Sequence, residues 1–145
     1  PLVLSIELLV SHYAWMIGRK IGREHGGFVV IHHRVIVIGG SGARTYLWKD
    51  ELLRLLLNDR HRTGMVVAAI GNAVPCLGKA DLIQSLEVTT DLGNKKAIKE
   101  IEEMKGVIVD EPFTAHDRIF TVQNAAGIAA FLDPFIEEVA KTAIK

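Results

Sequence analysis

The sequence is poor in the features that would give it away. It has one cysteine, four prolines, two tryptophans and no excess of either charge, with 17 Lys+Arg against 17 Asp+Glu in 145 residues. A lone cysteine cannot form an internal disulfide, which favours a reducing compartment, and we expect a cytoplasmic protein. A zero net charge removes any general electrostatic pull toward nucleic acid or a membrane surface, so neither is an expected partner. The early apolar stretch is interrupted by Glu7, His12 and Arg19, which fits neither a signal peptide nor a membrane span. No Gly-Lys-Ser/Thr follows the glycine-rich run at Gly39-Gly40-Ser41-Gly42, and GxGxxG spacing is missing, so a nucleotide cofactor is not expected. There are no repeats, low-complexity runs or linkers.

What is present describes an ordinary globular domain. The chain is 49% hydrophobic with thirteen glycines and a mean hydropathy of +0.25, and its length suits one domain spanning 1–145. Short apolar runs of strand length alternate with longer segments whose apolar residues recur at three and four, which predicts an α/β fold. Helices are expected over Ser5 to Arg23, Lys49 to Asn58, the stretch from Pro75 to about Ala80, Lys95 to Met104 and Ala125 to Ile144. Strands are expected at Phe28 to Ile31, Val35 to Ile38, Met65 to Ile70, Leu86 to Thr90, Val107 to Asp110 and Ile119 to Thr121. The joint His32-His33-Arg34 is too short for a parallel crossover and carries no hairpin signal, so residues are expected to be missing there, as also around Leu4 to Ile6.

The segment Val66-Val67-Ala68-Ala69-Ile70-Gly71-Asn72-Ala73 reads as a strand, sharp turn and helix, the geometry of a nucleophile elbow. Upstream, Val35 to Ile38 ends in a glycine turn whose amides face the same spot. These segments, with Val88-Thr89-Thr90, Val109-Asp110-Glu111-Pro112 and Phe120 to Gly127, make the chain resemble the ThiJ/PfpI family of the class I glutamine-amidotransferase-like superfamily, over about Val35 to Ala140. The resemblance implies a flavodoxin-like three-layer sandwich with a mainly parallel central sheet, shortened at the N-terminus. It also implies a homodimer or larger homo-oligomer, for which Tyr13, Trp15 and Met16 of the first helix offer an apolar surface.

The family attacks carbonyls with an elbow cysteine, a histidine after the next strand and a glutamate from the first helix. Gly71 stands at the cysteine position, Asp91 at the histidine position, and Glu7 is the match for the glutamate. Glycine offers no nucleophile and aspartate no imidazole. The resemblance so modified implies a non-catalytic binding or structural subunit. Its site would use amides of Gly40, Ser41 and Asn72 for a small anionic or carbonyl ligand. The alternative is a cysteine-dependent hydrolase or a glyoxalase/deglycase-like enzyme with a rearranged site of Glu7, Cys76 and His116. Cys76 lies five helical residues past Gly71, a rotation of about 140° and a rise of roughly 7.5 Å, which turns it away from the elbow. His116 reads as a turn histidine. His32-His33 point to opposite faces and lack further ligands at metal spacing, so no metal site is expected.

Overall fold

The computed structural model describes residues 27–31, 34–40 and 43–142. The helix expected over Ser5 to Arg23, with Glu7, His12, Tyr13, Trp15 and Met16, and residues His32, His33 and Ser41 lie outside the described residues.

Among the described residues, seven strands and five α-helices follow one another as β1 (Gly27–Ile31), β2 (Arg34–Ile38), α1 (Ala43–Tyr46), α2 (Glu51–Arg62), β3 (Val67–Ile70), α3 (Val74–Lys79), β4 (Glu87–Val88), α4 (Lys95–Glu103), β5 (Val107–Ile108), β6 (Phe113–His116), β7 (Ile119–Val122) and α5 (Ile128–Thr142). Five strands form one sheet in the order β1-β2-β3-β7-β6, and β4 and β5 pair in a second, parallel ribbon. The centre of the large sheet is parallel, β2 to β3 to β7, while both edges are antiparallel hairpins.

Strand pleating sends alternate residues to opposite faces. Val35, Val37, Val67, Ala69 and Ile119 join the core beneath α2, α3 and α4, together with Leu53, Leu57, Leu77, Ala97 and Ile101. Ile36, Ala68, Ile70, Phe120 and Val122 pack on α5 through Phe131, Phe135, Ile136 and Val139. Two cores around one sheet make three layers. The continuous apolar runs at Val35 to Ile38 and Val66 to Ile70 are thus explained by burial on both faces. Phe120 and Phe135 meet edge to face, with ring centroids 5.5 Å apart.

Helix boundaries follow from local chemistry. Asp50 caps α2 by accepting a hydrogen bond from Leu53 N at 3.1 Å, and Arg60, His61 and Arg62 lie in its last turn, complementing the helix dipole. Asn94 caps α4 by accepting from Ala97 N at 3.2 Å.

Three details differ from the sequence-based expectation. β1 and β2 pair antiparallel with Ile31 opposite Arg34, so the two strands need no parallel crossover between them. The partner of β7 is Phe113–His116, joined to it through Asp117 and Arg118, whose φ values of 51° and 62° make a hairpin turn with the right-handed twist of the strands. The strand expected at Leu86 to Thr90 shortens to Glu87–Val88, because the Thr89 amide donates to the Thr121 hydroxyl.

Candidate functional site

The parallel registers align Ile38 with Ile70 and Ile70 with Val122, so β2, β3 and β7 end together at one edge of the sheet. In open α/β sheets this carboxyl edge is where ligands bind. Gly39, Gly71 and Gln123 follow the three strand ends.

At the centre, the extended Ile70 gives way to Gly71 at φ +61°, and a 3-10 turn over Gly71–Ala73 leads into α3. An L-residue there would carry roughly 1–2 kcal/mol of left-handed strain that glycine avoids. Among the described residues, a Cβ added at Gly71 would have one neighbour within 4 Å, the Gln123 carbonyl oxygen at 3.8 Å. The turn therefore has the strand–left-handed turn–helix backbone expected from the sequence.

Four segments attach to this turn. Gly39 N donates to Ile70 O at 3.2 Å. Gly39 also lies so close to the turn that a Cβ on it would fall 2.5 Å from Ala73 N and 2.9 Å from Asn72 N. The Trp48 indole donates to Asn72 O at 2.7 Å, and the Thr90 hydroxyl donates to Gly71 O at 2.8 Å. The Asn72 side chain works in both directions, donating to Gly40 O at 3.4 Å and accepting from Asn94 Nδ2 at 3.0 Å. Beneath the turn, Thr89, Thr90, Thr114 and Thr121 are all buried. Thr121 Oγ1 accepts from Thr89 N at 2.9 Å and is hydrogen-bonded to the Thr114 hydroxyl.

The structure brings some sequence-derived candidates together and separates others. Gly40 and Asn72 are neighbours across the turn. Asp91 directly follows the residue bonded to Gly71 O, and its Oδ1 accepts from Gly93 N at 3.0 Å. Cys76 is only 2% exposed, within the core formed by α2, α3 and α4, and burial pushes its thiol up to about 12. His116 is exposed on β6. It pairs with Ile119, whereas the elbow end of the sheet is marked by the Phe113–Val122 pair; three strand residues place it roughly 10 Å farther along. Cys76 and His116 thus face different surroundings.

Trp48, Thr90, Asn94 and Thr121 were not foreseen as parts of the site. Only Asn94 carried a signal, as a capping residue ahead of an amphipathic helix. Among the described residues no group of three or more His, Cys, Asp and Glu could hold a metal ion, and no helix is long and apolar enough to cross a membrane.

The model of the DJ-1/PfpI family matches residues 31–138. A comparison with curated proteins gives no match. Among solved structures, a ThiJ/PfpI domain protein from Brachyspira murdochii is similar at 21% identity and a TM-score of 0.63, over 74% of this chain and 60% of that one. A two-domain protein from Anabaena variabilis, containing DJ-1/ThiJ/PfpI-like and ferritin-like domains, is similar at 16% identity and a TM-score of 0.63, over 72% of this chain and 30% of that one. DJ-1 of Schizosaccharomyces pombe is similar at 17% identity and a TM-score of 0.58, over 76% of this chain and 62% of that one. The chain spans less than two thirds of the length of each of these structures.

Proposed function

We propose that this chain, which belongs to the DJ-1/PfpI family, is a member without thiol catalysis that serves as a binding or structural subunit. The observation that carries this reading is Gly71. It occupies the left-handed turn between β3 and α3, where among the described residues a side chain would meet only the Gln123 carbonyl oxygen within 4 Å, and we place it at the family's elbow cysteine. Asp91, one residue past the Thr90–Gly71 hydrogen bond, is placed at the family's histidine.

Among the described residues, none of the side chains hydrogen-bonded at the turn is a thiol or an imidazole. The single thiol is buried and held protonated at neutral pH, which makes it a poor nucleophile. The ligand class we assign to the site is a small carbonyl or carboxylate compound above Gly71, held by amides of the Gly40 to Ser41 turn and of Asn72. Trp48 reports on that site because its indole is hydrogen-bonded to Asn72 O. We assign the protein to the cytoplasm, since a lone buried thiol needs no oxidising compartment.

The test is a gain of function. Wild-type protein is expected to leave methylglyoxal and peptide substrates unchanged, and Gly71→Cys to acquire a thiol that reacts with iodoacetamide near neutral pH. Turnover by the wild-type protein that disappears in Cys76→Ser would overturn the proposal. A Gly71→Cys thiol as inert as Cys76 would show that the turn is not an elbow.

A further inference from the structure

The loop from Thr90 to Asn94 holds the Gly71 turn at two points. Its first residue donates a hydroxyl to Gly71 O, and its last, Asn94, donates its side-chain amide to the side chain of Asn72 at 3.0 Å. Asn94 is itself fixed from behind. Its backbone amide donates to Asp91 O at 2.9 Å, and its Oδ1 accepts from Ala97 N at 3.2 Å as the cap of α4.

That cap decides which way the neighbouring amides face. A carboxamide has one oxygen and one NH2 group. With its oxygen committed to Ala97 N, Asn94 can offer only Nδ2 to Asn72, so Asn72 must answer with Oδ1. The Asn72 Nδ2 is thereby turned to Gly40 O at 3.4 Å, a carbonyl that also accepts from Ala43 N at 3.1 Å. A directed chain of three hydrogen bonds thus runs from the first turn of α4, through the Asn72 side chain, to the glycine turn after β2. Reversing either amide would set like atoms against one another at both of its links.

We infer that Asn94 is a positioning residue for the ligand site at Gly71: it orients the Asn72 side chain and, through it, the glycine turn whose amides hold the ligand. The assignment rests on the reading of that turn as a ligand site, and adds that ligand affinity is coupled to the cap of α4.

Calorimetric titration of the full chain with pyruvate, which carries both a carbonyl and a carboxylate, tests the assignment. Asn94→Ser keeps a capping oxygen for Ala97 N, since serine caps about as well as asparagine, but has no amide to reach Asn72. It is expected to bind pyruvate about fivefold more weakly, the worth of one hydrogen bond, with its urea midpoint unchanged. Asn72→Ala, which keeps the backbone amide, is expected to weaken binding by a similar factor and the double variant no further, because the two side chains act in series. Wild-type protein that does not bind pyruvate would remove the ligand reading and this assignment with it. Wild-type binding that is unchanged in Asn94→Ser, or losses that multiply in the double variant, would overturn the positioning role and leave the ligand reading in place. A loss of affinity in Asn94→Ser accompanied by a fall in its urea midpoint would mark a structural role instead.

Discussion

Gly39 is the position where a single methyl group should do most harm. Its Cβ would stand 2.5 Å from Ala73 N and 2.9 Å from both Asn72 N and Asn72 C. All three obstacles are backbone atoms, so no rotamer change relieves them. Gly39 N is also tied to Ile70 O, so moving β2 away would break the bond that continues the β2–β3 ladder past its last pair. Overpacking of well-packed sites costs typically 1–3 kcal/mol, and a methyl wedged between hydrogen-bonded backbones belongs at the top of that range. With a urea m-value of about 1–3 kcal/mol/M, a loss of about 3 kcal/mol in Gly39→Ala should lower the unfolding midpoint by about 1–3 M. Urea unfolding followed by circular dichroism measures the shift, and tryptophan emission in native buffer adds a local readout through Trp48. Gly93→Ala is the matched control, since its Cβ would meet only the Asp91 side chain, at 3.3 Å. A Gly39→Ala midpoint no lower than that of Gly93→Ala would refute the close approach of β2 to the turn.

Two further predictions concern buried polar chemistry. Cys76 should resist iodoacetamide in the native state at neutral pH and react on unfolding. Its thiol is raised from 9.0 to about 12 by burial, so the native state holds a proton that the unfolded chain releases. The stability this contributes is complete below pH 9 and is lost as pH rises toward about 12, an effect of up to about 4 kcal/mol that Cys76→Ala should remove; alkaline unfolding of the two proteins compares it. Thr121→Val should cost roughly 1–3 kcal/mol in thermal or urea unfolding, because it leaves the buried Thr89 amide without its acceptor, while Thr121→Ser should recover much of the loss.

The central layers were legible because their signals are local. Strands buried on both faces leave continuous apolar runs, and α4 leaves an amphipathic stripe behind a capping asparagine. The edges were harder. β6 reads Phe113-Thr114-Ala115-His116 with its last two residues exposed, so no apolar run marks it, although the turn-like Ala115-His116-Asp117-Arg118 beside it does contain the hairpin turn, at Asp117 and Arg118. The β1–β2 hairpin was obscured in a similar way, since His32-His33 is not a recognised turn pair. At the site, the strand–Gly71–helix sequence was visible, but the Trp48 and Thr90 bonds to the turn join positions 24 and 19 residues away from their acceptors. Such contacts have no periodicity and arise only when the sheet order is set.

Under the proposal that Gly71 stands at the family's elbow cysteine, those same contacts account for how the turn holds without a side chain there. Gly39 N, Trp48 Nε1, Thr90 Oγ1 and Asn72 Nδ2 all act on backbone atoms at or beside the turn or on its asparagine, and none involves a side chain at residue 71. The joint between β2, β3, α4 and the Thr90 loop therefore does not depend on what projects from position 71. A cysteine there would carry the left-handed strain of roughly 1–2 kcal/mol, a cost that catalysis can justify and mere packing cannot. For a member without thiol chemistry, as proposed, glycine is the residue that keeps the joint while releasing the strain. On this argument Gly71 stabilises the turn that a nucleophile would otherwise have held under tension.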